Sequence, residues 1–461
     1  MGWAFRWALA LALFAGCGDD DGMVATDLGL DMPGDSDAGL DMGTDDMGGD
    51  EDMGMDAGVA LCPTDTALLD PLDAPAFAVV TSDFTSTRIA ILDAAGDVTN
   101  AGWIDSGTSA AGLVATLQGD VVLPTDASPD AIGLVDRFGT DVITRLCPDG
   151  SLVGQVRLTP ESTTLNLQDF VVVGDEAWAS RQEGNPDGEA PELERGTDLI
   201  GFDPVTMMTN GQRIDLTEFD TTADGLDAEG EPAVDVPIGA RPAGMTRIGD
   251  TVVVGLARLP VNLAFGAPRA HGQGTVALVD LTSGAVEGFE MPGGLANCGQ
   301  VEPVADSDTD FLVACQGWAD AFFGDPVGTR ATTGIVRVSL AGDAPAVVAS
   351  WIAADDEESP LAGVNVVSLG GNRLVTVSYG NFADIPDILW ALDLETGEFT
   401  ELARATVSFV IGQGAFGGGT LLVPDAEAGE LLRFTVGATL EAGESVSIGA
   451  DGLQPRSVRA I

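Results

Sequence analysis

The chain has 461 residues and carries 73 acidic against 19 basic residues, a formal net charge of −54. All 19 basic residues are Arg, which excludes mechanisms that need a Lys, such as Schiff-base catalysis or a P-loop. So acidic a surface repels nucleic acid and anionic membrane faces, and with a single His a metal site of several His ligands is impossible.

Residues 1–16 have one basic residue, Arg6, followed by an apolar stretch that is too short to span a bilayer and is typical of a secretory signal peptide. The segment Leu13-Phe-Ala-Gly-Cys17 resembles the lipobox of bacterial lipoproteins, with Phe14 where an aliphatic residue is usual. The resemblance implies that Cys17 is acylated and becomes the N-terminus, and Gly18 favours the outer membrane. The alternative is that Cys17 is an ordinary apolar residue before a cleavage site.

Residues 17–58 form an acidic linker rich in Asp, Gly and Met. After Cys17 this segment has 14 acids, no basic residue and no aromatic residue. It cannot bury enough apolar surface to offset its ordering entropy, so we predict a disordered spacer between the lipid and the folded domain. A weak Ca²⁺-collecting tail is the less favoured alternative.

A pattern recurs seven times between residues 59 and 461: an apolar run, an Asp or small polar residue, and a turn. It begins at Ile89, Ile132, Leu199, Val276, Ile335, Leu389 and Leu431, at spacings of 42 to 77 residues. The short spacings match a four-stranded propeller blade of about 40 to 50 residues, and the long ones indicate insertions. We predict an all-β fold, a seven-bladed β-propeller of four-stranded antiparallel blades, with this pattern on each third strand.

Residues 238–291 show one blade in clean form, with β-rich runs at 244–248, 251–257, 275–281 and 285–290. Blade 1 lacks an innermost strand of this kind. The C-terminal segment 452–461 has the same pattern as residues 239–248, so we predict that a C-terminal strand completes blade 1 and closes the ring.

The runs Ile238-Gly-Ala-Arg-Pro-Ala-Gly-Met, Val252-Val-Val and Thr275-Val-Ala-Leu-Val-Asp-Leu-Thr-Ser-Gly resemble the YVTN-type propeller repeat of bacterial and archaeal cell-surface proteins. The resemblance is good in blade 4, weaker in the other blades, and does not extend to the linker. It implies a propeller fold and an envelope location, and it implies no catalytic residue, because the family is functionally diverse.

Four Cys remain beside Cys17, and an even number in an exported protein indicates disulfides. Cys298 and Cys315 flank the hairpin between strands one and two of blade 5, which favours their pairing. Cys62 would then be linked to Cys147. Buried free thiols are the alternative.

Candidate catalytic and metal-binding residues are few. His271 is the only residue that could serve a Ser-His-Asp triad, but it lies in a Gly-containing loop and is better explained as an ordinary loop residue. The acid-rich segment 220–231 lacks the spacing of an EF-hand, so a solvated loop is favoured over a Ca²⁺ site. We predict no catalytic residue, no metal ligand and no cofactor, with Ca²⁺ left open.

The longest insertions, 181–197, 258–274 and 316–333, are predicted to connect strands two and three of blades 3 to 5. Since strands alternate in direction, these loops share a face with the connections from strand four to strand one. Arg residues and aromatic side chains, which recognition surfaces favour, are concentrated there. The candidate ligand- or partner-binding residues are Arg181, Arg195, Arg241, Arg258, Arg269, His271, Trp318, Phe322, Arg330 and Arg456, with Phe265 and Phe323 beside them. The alternative is that these Arg residues only neutralise neighbouring acids.

The sequence therefore predicts a lipid-anchored, monomeric propeller of the cell envelope that acts as a binding or scaffold module. Its partner would be an envelope protein or an anionic ligand, bound on the loop face of blades 3 to 5. One alternative is an enzyme that uses the central channel, lactonase-like or quinoprotein-like. A structural surface-coat protein is the other.

Overall fold

The computed structural model describes Cys62 and residues 76–107, 117–126, 131–137, 140–148, 150–160, 163–227, 229–263, 267–317, 330–342, 344–354, 360–361, 363–378, 386–449 and 452–461. The predicted signal peptide 1–16, the lipidation site Cys17 and the linker 17–58 lie outside these residues.

Seven antiparallel sheets form the blades of a propeller, as predicted. Blade 1 consists of β1 (Phe77–Ser82), β2 (Thr87–Leu92) and β3 (Val98–Asp105), and blade 2 of β4 (Val121–Val122), β5 (Ile132–Asp136), β6 (Val142–Leu146) and β7 (Leu152–Arg157). Blade 3 consists of β8 (Leu167–Val173), β9 (Glu176–Gly184), β10 (Gly196–Asp203) and β11 (Met208–Asp215). A hairpin of β12 (Thr221–Leu226) and β13 (Pro232–Ile238) precedes blade 4, which consists of β14 (Pro242–Ile248), β15 (Thr251–Leu256), β16 (Thr275–Asp280) and β17 (Ala285–Glu290).

The remaining blades follow the same order. Blade 5 consists of β18 (Gln300–Pro303), β19 (Asp310–Gln316), β20 (Thr333–Ser339) and β21 (Ala346–Ile352), and blade 6 of β22 (Val364–Ser368), β23 (Arg373–Ser378), β24 (Ile388–Asp393) and β25 (Glu398–Arg404). Blade 7 consists of β26 (Ala415–Gly417), β27 (Thr420–Asp425), β28 (Glu430–Val436), β29 (Leu440–Ala442) and β30 (Val446–Ser447), the last two both pairing with β28. The final strand is β31 (Gln454–Ala460); short 3-10 helices occur at Glu192–Glu194, Thr217–Phe219, Pro292–Gly294 and Arg330–Thr332.

The hydrophobic core is divided among the seven spaces between neighbouring blades. One buried cluster, for example, joins Val135 and Ile143 of blade 2 to Phe170 of blade 3, and another joins Phe77 of blade 1 to Leu422 of blade 7. Each blade therefore needs both neighbours to cover its two faces, and the ring is stable only when it is closed.

The C-terminal strand β31 closes the ring, as predicted. It pairs antiparallel with β1, with Val458 opposite Val79 and Ala460 opposite Phe77. It also contacts blade 7, where the Val458 backbone N–H donates to the Gln413 carbonyl at 2.7 Å. This strand therefore joins the first blade to the last.

The recurring Asp has a structural role at the end of the third strand. In blades 1, 3, 4 and 6 its carboxylate accepts backbone N–H bonds from the turn that follows; the residues are Asp93, Asp203, Asp280 and Asp393. An Asp that satisfies its own turn in this way favours a tight connection to strand four. This is why the pattern marks blades in the sequence.

The pattern at Ile132–Asp136 does not mark a third strand, so the prediction is wrong here. It forms β5, the second strand of blade 2 and not the third. Asp136 is buried there, accepts the Gln118 backbone N–H at 2.8 Å, and does not cap a turn between strands three and four. Burial raises the pKa of Asp136 to about 6. The blade count is unaffected, because the true third strand, β6, follows at once.

Two disulfides are present, in the pairing that the spacing suggested. Cys62 is bonded to Cys147 and Cys298 to Cys315. The first joins the beginning of the domain to blade 2, and the second joins the approach to β18 with β19 of blade 5.

Deletion of residues 452–461 is expected to destabilise the whole propeller, because it exposes the inner edge of β1 and removes the contacts of β31 with blade 7. We predict a fall in the thermal unfolding midpoint of more than about 10 °C, or no folded protein, measured by circular dichroism. Val407→Ser, an exposed substitution, is the control and leaves the midpoint unchanged. A deletion variant as stable as the intact chain would contradict closure by β31.

Candidate functional site

The connections between strands two and three, and from strand four to the next strand one, lie on one face of the propeller. In blades 3 and 4 this face consists of the loop 185–195, the hairpin β12–β13 and the loop 257–274. We call these three segments the blade 3–4 loop face.

The hairpin β12–β13 corrects the expectation of a solvated loop at 220–231. Its strands pair antiparallel, and the loop 257–274 holds it at both ends. Leu226 and Arg269 exchange backbone hydrogen bonds of 2.9 and 2.7 Å, and the Val261 N–H donates to the Pro237 carbonyl at 2.9 Å. Val236, Ile238 and Ala270 form a small buried cluster beneath the hairpin. Hairpin and loop therefore form one small unit on top of blade 4.

Arg181 is wrongly predicted as a ligand-binding residue. Its side chain is fully buried, and its guanidinium forms two hydrogen bonds of 2.8 Å with the carboxylate of Asp198. Arg213 binds the same carboxylate. Strand β9 extends to Gly184, so Arg181 lies inside a blade and not in the loop. It neutralises a buried acid.

Arg241 and Arg330 are also buried, with 6% and 7% of their surface exposed. Arg241 donates to the carbonyls of Pro260 and Val261 at 3.2 and 3.1 Å and pairs with Glu183 at 3.4 Å. Arg330 lies in the 3-10 helix before β20. For Arg241 a structural role accounts for these contacts better than ligand recognition does.

The remaining candidate binding residues that the structure describes are exposed or half-buried. Arg195 is exposed, and Arg269 and His271 are half-buried on the loop 257–274. Arg456, half-buried on β31, stacks on Phe84 at 4.4 Å from the ring centroid and so binds within the protein. Trp318 and Phe322, like Phe265 and Phe323, lie outside the described residues.

Arg258 is the most constrained of these half-buried side chains. One of its terminal nitrogens donates to the Gln273 carbonyl and to the Thr275 hydroxyl, both at 3.1 Å. Its guanidinium lies against Gly272, where any Cβ would come within 3.0 Å of Nε. Burial lowers the pKa of Arg258, and Nε has no hydrogen-bond partner in the described part of the chain.

Exposed apolar side chains are the feature of this face that the sequence analysis missed. The described residues include ten large hydrophobic side chains that are exposed, and five of them lie in connections on this face of the propeller: Leu193, Leu226, Val234, Val261 and Val407. The first four belong to the blade 3–4 loop face, and Val234 is 72% exposed. These four residues make the blade 3–4 loop face a candidate contact surface for another molecule.

The central channel contains a polar network that the sequence analysis also missed. Arg459 of blade 1 forms a 2.9 Å ion pair with Glu302 of blade 5. Asp126, which follows the inner strand of blade 2, accepts the Thr246 hydroxyl of blade 4 at 2.8 Å. Because these blades are not neighbours in the ring, the contacts must cross its interior.

Three carboxylates in this network interact electrostatically with one guanidinium, that of Arg459. Asp169, on the inner strand of blade 3, accepts the Met245 N–H at 2.9 Å and the Thr125 hydroxyl at 2.6 Å. Burial raises the pKa of Asp169 to about 6, and it also raises the pKa values of Asp126 and Glu302. The positive charge of Arg459 lowers all three pKa values, but by less than burial raises them. The network joins the inner strands of several blades, and within it Asp169 has a pKa of about 6.

Neither metal-binding geometry nor a membrane span is found in the described part of the chain. No group of three or more His, Cys, Asp or Glu residues there is arranged to hold a metal ion. No helix among those residues is long and apolar enough to cross a membrane.

Neither a family model nor a curated protein matches the sequence. Solved structures do resemble the fold. A candidate 6-phosphogluconolactonase from Bacteroides fragilis is 10% identical, over 85% of this chain and 99% of that one, with a TM-score of 0.50. A hypothetical selenium-binding protein from Sulfolobus tokodaii is 11% identical, over 85% and 97%, with a TM-score of 0.51. A periplasmic gluconolactonase from Pseudomonas aeruginosa is 14% identical, over 84% and 99%, with a TM-score of 0.47. At these identities the likeness establishes the fold alone.

The channel network predicts that the protein is more stable at pH 5 than at pH 7. A carboxyl whose folded pKa, about 6, exceeds its unfolded value contributes stability that is complete below the unfolded pKa and is lost as the pH rises through 6. We expect Asp169 to account for about 1 kcal/mol of this difference. Urea unfolding of the wild type and of Asp169→Asn at both pH values tests this.

The free energy of unfolding of Asp169→Asn should differ less between pH 5 and pH 7 than that of the wild type. Asp280→Asn is the control, because Asp280 is exposed and its turn hydrogen bonds lower its pKa. It removes one charge of the same kind and leaves the pH dependence intact. An equal pH dependence in Asp169→Asn and the wild type would contradict the role of the channel carboxylates.

Proposed function

We propose that the protein is a lipid-anchored binding module of the cell envelope that docks a protein partner on the blade 3–4 loop face. The lipobox-like segment ending at Cys17 and the acidic linker 17–58 support the anchor and a spacer between membrane and propeller. The YVTN-like repeats support an envelope location.

The observation that carries the proposal is the exposure of Leu226, Val234 and Val261 on one small unit. The hairpin β12–β13 and the loop 257–274 are insertions that close no blade and contribute to none of the seven interblade clusters. An insertion that is folded around its own buried cluster, and yet presents apolar side chains to solvent, has the composition of an interface core.

A protein partner accounts for this face better than an anionic ligand does. Arg181, Arg241 and Arg330 are buried and Arg456 stacks on Phe84, which leaves three of the seven predicted arginines for an anion: Arg195, Arg258 and Arg269. Arg258 is the residue that favours an anionic ligand as the second candidate, because its Nε has no hydrogen-bond partner among the described residues. Side chains of the polar network occupy part of the central channel, where an enzyme of the alternative kind would bind its substrate. This favours the loop face over the channel as the binding site.

Replacing Leu226, Val234 and Val261 with Ser is expected to abolish partner capture without lowering stability, because the side chains are exposed and their loss creates no cavity. The measurement is mild crosslinking of the tagged, lipidated chain in its own envelope, followed by mass spectrometry. The thermal midpoint should stay within about 2 °C of the wild type.

The matched control replaces three exposed apolar residues elsewhere, Val205, Met208 and Val347, with Ser. It removes comparable apolar surface from other parts of the propeller and should capture the same partner as the wild type. Undiminished capture by the loop-face variant, or equal loss in both variants, would contradict this docking surface.

A further inference from the structure

Two of the three segments of the blade 3–4 loop face are strongly acidic. The loop 185–195 has four acids and one basic residue, Arg195, and the hairpin 221–238 has five acids and no basic residue. These acids are Asp187, Glu189, Glu192, Glu194, Asp224, Asp227, Glu229, Glu231 and Asp235. Seven of the nine are exposed, and Glu194 and Asp227 are half-buried.

These nine carboxylates have no Arg partner among the residues that the structure describes. No ion pair in the described part of the chain involves any of the nine. The acids of the propeller interior differ in this respect, since Asp198 and Glu302 are both paired with Arg. On this face the negative charge is presented to solvent around Leu226 and Val234.

The exposed side chains of Leu226, Val234 and Val261 and the nine carboxylates together define one kind of occupant. The apolar residues favour contact with apolar side chains, and the unpaired carboxylates favour a partner of opposite charge and repel an acidic one. A neutral apolar partner would leave the nine carboxylates partly desolvated without compensation.

We infer that the partner of the hairpin β12–β13 is a cationic protein segment in which Arg or Lys residues alternate with apolar residues. The apolar side chains of this segment cover Leu226, Val234 and Val261, and its basic side chains pair with the acids of the hairpin and of the loop 185–195. This inference rests on the proposed function and adds the chemistry of the partner.

The test uses the full chain in detergent micelles and two labelled 12-residue peptides, measured by fluorescence anisotropy at low salt. One peptide alternates Arg and Leu, and the other alternates Glu and Leu. We expect the Arg-Leu peptide to bind and the Glu-Leu peptide to bind at least about tenfold more weakly. Equal binding of the two peptides would overturn the cationic assignment.

Because the whole domain is acidic, it attracts a cationic peptide at other surfaces as well. Two variants of equal net charge distinguish attraction by the hairpin from attraction by the whole domain. The hairpin variant carries Asp224→Asn, Glu229→Gln, Glu231→Gln and Asp235→Asn; Asp227 is kept because it caps the turn through the Glu231 N–H at 2.8 Å. The control carries four substitutions to Gln at exposed acids outside this face: Glu287, Glu395, Glu398 and Glu441. Both variants raise the net charge by the same four charges.

The hairpin variant is expected to weaken Arg-Leu binding by at least about tenfold and the control by less than about threefold. Equal weakening in both overturns the inference, because the attraction then belongs to the whole domain. If the Ser variant of Leu226, Val234 and Val261 loses the peptide and the hairpin variant keeps it, the docking surface stands and the cationic partner is wrong. If neither variant weakens binding, both the docking surface and the cationic partner are wrong.

Discussion

Closure of the ring by β31 is the constraint on which the rest of the structure depends. Each interblade cluster needs two blades, so a missing inner strand in blade 1 would leave two clusters and one sheet edge uncovered. The same strand brings Arg459 into the channel, where it is the guanidinium paired with Glu302. Sheet closure and channel electrostatics are therefore set by the same seven residues, Gln454–Ala460.

Because ring closure fixes only the blades, the connections between strands can vary in length and structure. In blades 3 and 4 these connections include the loop 185–195, the hairpin β12–β13 and the loop 257–274. The hairpin β12–β13 is held by backbone bonds to the loop 257–274 and by a small cluster of its own, so it needs little from the blades. Its exposed apolar side chains, Leu226 and Val234, lie outside that cluster, and so do most of its acids. The proposed function attributes these side chains to binding and not to stability.

Much of the fold could be predicted because the turn-capping Asp leaves a local pattern in the sequence, as at Asp280 and Asp393. The prediction was wrong at Asp136, since a buried Asp at the end of a second strand gives the same local pattern. Arg181 was misplaced because sequence alone does not show that β9 continues to Gly184. The channel carboxylates could not be predicted, because Asp126, Asp169 and Glu302 come from different blades and meet only after the ring closes. The acids of 220–231 suggested solvation, although the alternation in 232–238 was a signal for a strand.

The most direct test of the binding surface is amide hydrogen exchange of the full chain, free and bound to the partner captured from the envelope. Our account predicts new protection in residues 221–238 and 257–263, with little change in the turns between strands three and four. Protection confined to the channel strands, or to the opposite face of the propeller, would contradict it.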